Sequence, residues 1–409
     1  MSRSSVPCRG RPWTVDESAF DVLILGAGPA GCATALALRA RGVERILVVD
    51  RAPPAPFIPG ESATPDIGPL LATLGLDGDL GRIGARPYYG NLTAWAGPPT
   101  LSLFGRRGMG WHLDRTAFEL WLRDEAISRG VVLACPARLR ALDAMSGEWN
   151  ATVEGFGSVR ARVVVDAAGR RAPLAVRLGA KRHRLDALVA LAVRVPCASC
   201  GADGYSLVES FASGWWYGAR VPGGDAVVML MTDRDIAQSY RDAASFAQAW
   251  RDTAMLGRRI ELPQTPITPR VFAAHGGFLE PAAGAGWIAV GDALMSLDPL
   301  TSSGLSGALN DAAAAAGVIV EMLNGNDPAA AYTQRANSAL QRYLAGHAAY
   351  YGLERRWSEQ SFWVRRSDKA VIPGERSEAR DPRSNIHPGS RHGAMPTHRL
   401  AGMTSWDLC

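Results

Sequence analysis

Three unbroken apolar runs, Val22-Leu23-Ile24-Leu25, Ile46-Leu47-Val48-Val49 and Val163-Val164-Val165, each stop at a glycine or an acid. Runs of that length without alternation are the pattern of parallel strands buried on both faces. Between the first two lies an Ala/Leu-rich stretch, Cys32 to Arg41, that closes at Gly42 and reads as a helix. Strand, helix and strand in that order predict a β-α-β unit and an α/β fold. Thr64-Pro65-Asp66 predicts a helix start with Thr64 as N-cap and Pro65 at the first position, running to about Leu74. Asp114 to Leu122 has helical spacing, Val131 to Ala134 reads as another parallel strand, and three short strand-like runs follow at Arg138 to Asp143, Trp149 to Glu154 and Val159 to Val165.

From about His183 to Pro269 the period changes to two, with alternating runs at Leu188 to Val195, Gly204 to Ser210, Trp215 to Val221 and Ala226 to Thr232, then a helix over Ala243 to Gly257. That texture predicts an inserted, mostly antiparallel sheet. Gly286 to Asp292 returns to a buried strand, Gly304 to Leu323 reads as a long Ala-rich helix, and further helices cover about Pro328 to Arg365. The division that follows is an N-terminal arm (1–19), a discontinuous nucleotide-binding domain (20–86, 110–182 and 270–327), an inserted sheet domain (87–109 and 183–269), a C-terminal helical segment (328–366) and a poorly ordered tail (367–409).

Composition narrows the class. Hydrophobic residues at 47% and charged residues at 20% describe a globular chain with an ample core, and a net charge of +5 spread along 409 residues argues for no nucleic-acid partner. The six cysteines are scattered; Cys197-Ala-Ser-Cys200 has no second Cys/His pair at ligand spacing, so no metal is expected and the segment reads as a loop with two free thiols. No apolar leader and no spanning segment is visible, so no membrane partner and a cytoplasmic location are expected.

The chemistry gathers at the strand ends. Gly26-x-Gly28-x-x-Gly31 turns a strand into a helix whose N-terminus suits a pyrophosphate, and Asp50, about 20 residues on, is placed for an adenosine ribose. For that stretch alone, an ordinary glycine-rich turn is the alternative. Two further turns, Asp166-Ala-Ala-Gly169-Arg170 and Gly291-Asp292 running to Asp298-Pro299 and Gly304, pair an acid with glycine at a strand end. Asp292 could accept from a ribityl hydroxyl, and the glycine-bearing loop that opens the next helix could aim N–H groups at a flavin pyrimidine edge.

Together these motifs resemble the FAD fingerprints of the flavoprotein aromatic hydroxylase and halogenase superfamily, over about residues 20 to 366. The resemblance implies a Rossmann-like FAD domain with an inserted substrate domain. It implies FAD contacts from Gly26, Gly28, Pro29, Ala30, Gly31, Asp50, Arg51, Ser62, Asp166, Gly169, Gly291, Asp292, Pro299, Ser303, Gly304 and Leu305. Arg115 would lie near the diphosphate or ribose, or else is a surface arginine. Gly60-Glu61-Ser62-Ala63-Thr64-Pro65 is similar to the tryptophan halogenase branch, whose members relay hypohalous acid through a lysine shortly afterwards. Here the only lysines are Lys181 and Lys369, and an arginine, always protonated, cannot replace that amine.

Gly214-Trp215-Trp216-Tyr217-Gly218 to Pro222 and Tyr350-Tyr351 to Arg366 resemble flavoproteins that mature tryptophylquinone enzymes, as in quinohemoprotein amine dehydrogenase biogenesis. That likeness implies a monooxygenase hydroxylating a tryptophan side chain in a partner polypeptide, through a flavin C4a-hydroperoxide, towards cysteine tryptophylquinone. O2 would be co-substrate, with NAD(P)H or a separate flavin reductase as electron source. Trp215, Trp216 and Tyr217 could wall the indole slot, or be aromatic sheet core. Arg355, Arg356, Arg365 and Arg366 could steer an acidic partner, or simply face solvent. A halogenase or hydroxylase of a small aromatic molecule, a flavin reductase and a non-catalytic escort of a partner remain the alternatives.

Overall fold

Strand Ala19–Leu25 is central to a parallel sheet in the computed structural model, which describes residues 18–197 and 204–367. It pairs with Gly157–Asp166 on one side and Ile46–Val49 on the other, and these pair outward with Trp287–Ala289 and Val132–Ala134, all in parallel. Both faces are covered, so Val22, Leu23 and Ile24 have no exposure and the strand needs no polar alternation. An antiparallel pair, Leu139–Met145 and Glu148–Val153, extends the first half of Gly157–Asp166.

Helix α1 (Pro29–Arg39) follows the first strand at backbone distance. A Cβ on Gly26 would lie 2.4 Å from the Ala167 carbonyl oxygen, and one on Gly31 would lie 1.9 Å from the Gly26 carbonyl oxygen, so both positions exclude any side chain. Helix α2 (Ile67–Thr73) begins at Ile67 and not at Pro65. The Thr64 hydroxyl meets the Ser306 hydroxyl at 3.1 Å and is no cap, which corrects the expected helix start. Asp114 caps α3 (Arg115–Ser128) by accepting the Ala117 N–H, and α4 (Pro173–Arg177) follows the Asp166 turn.

The second large sheet runs Arg270–Ala273, Leu188–Pro196, Asp225–Asp233, Gly214–Val221, Tyr205–Phe211, Gly90–Ala94 and Thr100–Leu103. Every pairing is antiparallel except Tyr205–Phe211 with Gly90–Ala94. Alternation gives it two buried faces. One, with Leu191, Val193, Leu207, Trp216 and Leu230, packs on α5 (Ala243–Arg251) and α6 (Leu256–Arg259); the other carries Leu188, Ala190, Trp215, Tyr217 and Val227. The single helix expected over Ala243 to Gly257 is therefore two. Glu209 accepts the N–H groups of Met255 and Leu256 at 3.0 and 2.9 Å, which starts a new helix at that point.

Helix α7 (Gly304–Leu323) packs on α1, α8 (Ala329–Tyr351) crosses to the parallel sheet, where the Tyr332 hydroxyl donates to the Ala289 carbonyl, and α9 (Ser361–Ser367) closes on the second sheet. Among the described residues no helix is long and apolar enough to cross a membrane. Cys197 is disulfide-bonded while Cys32 and Cys135 form no disulfide, so the expected free thiol is corrected at Cys197, and Cys200 lies outside the described residues. The arm and tail expected at the two ends also fall outside them, apart from Ser18, Ala19 and Ser367.

Candidate functional site

Four strand ends meet at one edge of the parallel sheet. Leu25 pairs with both Val49 and Asp166, and Asp166 pairs with Ala289, so the turns at Gly26, Asp50, Ala167 and Gly291 are neighbours. That edge is the crevice in which open α/β sheets bind ligands. A Cβ on Gly291 would lie 2.6 Å from Ala30 Cβ and 3.7 Å from Ala308 Cβ, which puts this turn between the first turns of α1 and α7.

Both helix starts are left open. Gly28 caps α1 with no side chain and has nothing within 4 Å of a built Cβ, while Ser303 makes no cap bond to α7 and instead meets the Thr301 hydroxyl at 2.7 Å. Unpartnered N–H groups at two converging helix N-termini, with free space before Gly28, fit a dinucleotide: diphosphate at α1, flavin edge at α7. Pro29 and Ala30 form the first turn of α1, and Gly304 and Leu305 that of α7; Pro299 opens the short turn before it.

Asp50 accepts the Ala27 N–H at 2.8 Å, Arg123 Nη2 at 2.9 Å and the Ala52 N–H at 3.3 Å. With roughly four acceptor positions on a carboxylate, about one is left for a ribose hydroxyl. Arg123 was missed in the sequence, although an arginine among the buried positions Phe118, Leu122 and Ala126 of α3 is itself a signal. Its Nε also holds the Ala27 carbonyl, so it fixes the glycine turn from behind. Asp292 is half-exposed and pairs with Arg170 Nε at 3.3 Å, leaving its carboxylate accessible at the crevice. Arg51 is exposed, and Gly169 takes a left-handed turn with open space around it.

Two expected contacts are placed differently. Asp166 is fully buried and accepts the N–H groups of Ala168, Leu174 and Ala175 at 3.0, 2.8 and 2.9 Å, so its carboxylate holds the turn and α4. Arg115 donates to the Gly60 carbonyl at 3.0 Å and to Glu119 at 2.8 Å; its guanidinium braces the proline-rich loop and is not a surface group. Ser62 lies deeper, with its hydroxyl 2.7 Å from the Tyr217 hydroxyl, which ties the Gly60–Thr64 segment to the second sheet as Thr64 ties it to α7.

The aromatic run splits across the sheet. All three are buried: Trp215 and Tyr217 lie on the face turned to α9 and to the Ser62 segment, whereas Trp216 packs on Phe246 of α5 on the opposite face and cannot share a slot with them. Trp215 Nε1 donates to the Tyr351 hydroxyl at 3.0 Å, and that hydroxyl donates to Asp298 at 2.8 Å. Burial alone would raise the Asp298 pKa, but hydrogen bonds from His347, Leu300 and Tyr351 outweigh it and hold it below the usual range.

Of the four C-terminal arginines, Arg355, Arg356 and Arg365 are exposed and Arg366 is buried. Arg366 is buried against Asp233 and the Phe362 ring, Arg365 pairs with Asp233 and Asp235, and Arg356 pairs with Glu354. Only Arg355 of the four is exposed without a partner of this kind, whereas Arg356, Arg365 and Arg366 are held in internal ion pairs.

Two buried titratable side chains in the same region were not singled out in the sequence. Among the described residues the Glu61 carboxylate has no partner beyond the nearby N–H groups of Gly60 and of Glu61 itself, and Nε2 of His112 has none. Burial pushes the Glu61 carboxyl up to about 7, against smaller opposing effects of the Gly60 and Glu61 N–H groups and the Arg115 and Arg194 charges. Burial, helped by Arg86, pushes His112 down to about 3.

Residues 19–345 match the family described as FAD binding domain. LodB of Marinomonas mediterranea, named as an FAD-dependent oxidoreductase, is 28% identical over 359 residues, covering 85% of this chain and 96% of LodB. Among solved structures, QhpG, a peptidyl tryptophan dihydroxylase essential for tryptophylquinone cofactor biogenesis, superposes with a TM-score of 0.71 at 28% identity, covering 87% of this chain and 80% of QhpG. The flavin-dependent halogenase CmlS shares the fold at a TM-score of 0.75 and 22% identity, covering 85% of this chain and 67% of CmlS.

Proposed function

The chain belongs to the FAD-binding domain family and is an FAD-dependent oxidoreductase, and from that premise we propose that it hydroxylates a tryptophan side chain in a partner polypeptide. The partner would be the precursor of a tryptophylquinone enzyme, and the product a step towards cysteine tryptophylquinone. The likeness to QhpG, at 28% identity over 87% of this chain, supports that substrate class. The observation that carries it in this chain is the face of Trp215 and Tyr217, joined through the Ser62 hydroxyl to the segment that also touches the first turn of α7.

Bound FAD, once reduced, supplies activated oxygen from O2. The residues of this chain need to hold an electron-rich ring in place and exclude water, since an indole is nucleophilic enough to need no covalent help. Aromatic walls serve both purposes without polar groups that water would follow. Oxygenation is favoured over halogenation because residues 1–180 contain no lysine. Electrons come from NAD(P)H or a separate reductase.

The test is mass spectrometry of a tryptophylquinone-enzyme precursor after incubation with flavin-loaded protein, a reductant, O2 and chloride. One or two added oxygen atoms on a tryptophan are expected. A chlorinated product, or free tryptophan turned over as well as the polypeptide, would overturn the reading.

A further inference from the structure

The second sheet ends in an open edge. Thr100–Leu103 pairs with Gly90–Ala94 on one side and, among the described residues, with no strand on the other. Edges are ordinarily guarded by charge, proline or a covering element, and Thr100-Leu101-Ser102-Leu103 holds neither charge nor proline. The Phe104 N–H donates to the Tyr89 carbonyl, and a Cβ on Gly90 would lie 2.1 Å from the Ser102 carbonyl oxygen, so Ser102 and Phe104 turn their backbone groups into the hairpin. Alternation then points the N–H and C=O groups of Leu101 and Leu103 outward, away from Gly90–Ala94.

The side chains of the same two residues share one face with Leu92, which α5 and α6 cover elsewhere, and they stay 46% and 55% exposed. Tyr89 and Met109 are exposed close by in sequence, so four of the ten large hydrophobic residues exposed among the described ones fall within residues 89–109. Charge is equally one-sided. From Leu80 to Leu113 the chain has four arginines and neither Asp nor Glu. Arg82 and Arg107 pair with Asp77 and Asp66, and Arg106 is exposed in the short turn that follows the edge.

These features choose the occupant. A second copy pairing edge to edge would bring another acid-free, arginine-bearing stretch to the first, so the charge favours a different chain. That turn leads on into Gly110–His112, which pairs with Ser62–Ala63 where the FAD crevice meets the second sheet. We propose that Thr100–Leu103 docks an extended, acidic segment of the substrate polypeptide as an added strand, anchored outside the crevice. The added strand would bond the outward groups of Leu101 and Leu103, lay alternate apolar side chains over theirs and place acids by Arg106. The docking rests on the reading that the substrate is a polypeptide.

The test uses the full chain loaded with FAD and, as probe, the tryptophylquinone-enzyme precursor. Amide hydrogen exchange in residues 100–104 is followed with and without the precursor, and Kd, KM and kcat are measured for wild type, Leu103→Pro and Arg106→Glu at low and high salt. Proline at 103 removes an outward N–H and leaves the hairpin bonds in place, so FAD retention should be unchanged. Exchange in residues 100–104 should slow when the precursor binds. Leu103→Pro should raise Kd and KM about tenfold with kcat unchanged, as expected when binding common to ground and transition states is lost. Arg106→Glu should weaken binding about fivefold and flatten its salt dependence. No protection of residues 100–104 in the complex, or wild-type affinity in Leu103→Pro, would overturn the docking. So would a wild-type dimer that Leu103→Pro makes monomeric, which gives the edge to a second copy, or protection in the free protein that deleting residues 368–409 abolishes, which gives it to the tail. Protection without hydroxylation would remove the proposed function and keep the docking; hydroxylation without protection would do the reverse. A precursor that does not bind at all would remove both.

Discussion

Glu61 and His112 sit next to each other in the fold, Ser62 pairing with His112, yet their titrations pull stability in opposite directions. The Glu61 carboxyl is raised from 4.5 to about 7, so its contribution is fully present below about 4.5 and is lost as pH rises through 7. The sum is about 3 kcal/mol, at about 1.4 kcal/mol per unit. Glu61→Gln, free of that loss, should gain on wild type by about this much in urea unfolding of substrate-free protein between about pH 5 and pH 8. His112, lowered from 6.5 to about 3, contributes fully above 6.5 and loses its contribution as pH falls. At Asp292 the exposed pair with Arg170 is worth little to stability. Asp292→Ala should therefore unfold like wild type while binding FAD about tenfold more weakly, the loss of one hydrogen bond to a charged acceptor. Equilibrium dialysis showing unchanged FAD affinity would remove Asp292 from the site. The glycines and acids were legible because their motif is local. Trp216 was not separable from Trp215 without knowing which sheet face meets α5, and Arg115 and Asp166 have partners that no spacing rule places.

At the scale of elements, departures from the sequence have long-range causes. Thr64 is an ordinary cap residue followed by proline, and it fails as a cap because Ser306, far along the chain, takes its hydroxyl. The break between α5 and α6 comes from Glu209, a buried acid on Tyr205–Phe211 whose carboxylate starts α6 by accepting its first N–H groups. Glu209→Ala leaves those donors buried and should cost about 3 kcal/mol in urea unfolding, with FAD affinity unchanged. Strand and helix existence was otherwise legible, because apolar runs in parallel strands and period-two runs in the second sheet are each set by which faces are covered. The ion pairs of the C-terminal arginines were hidden from the sequence for the same reason as the Thr64 contact. Asp233 ends a strand of the second sheet, and the run at Arg365 and Arg366 is its counter-charge. Arg366→Met should destabilise by about 3 kcal/mol, at the low end for a broken buried pair because Arg365 stays in place. No stability change in that variant would show that the clasp is ornamental.

Over the whole molecule, the two sheets are not made in sequence. The hairpin Gly90–Ala94 and Thr100–Leu103 is threaded out of the nucleotide-binding part and zipped in parallel onto Tyr205–Phe211. Strand Trp287–Ala289 joins the parallel sheet only after the second sheet has been completed. On the ribosome, the hairpin is consequently born more than a hundred residues ahead of the strand that receives it. Until then one side of Gly90–Ala94 is a raw edge, and Leu101 and Leu103, which stay half exposed even in the finished protein, are beside it. Such a chain folds slowly and exposes sticky intermediates. Expression of residues 1–185 alone should give aggregates, whereas co-expression with residues 186–409 should bring the first half into solution. The interleaving of the two sheets thus leaves the nascent chain with an unpaired edge for longer than a chain whose sheets are made in order.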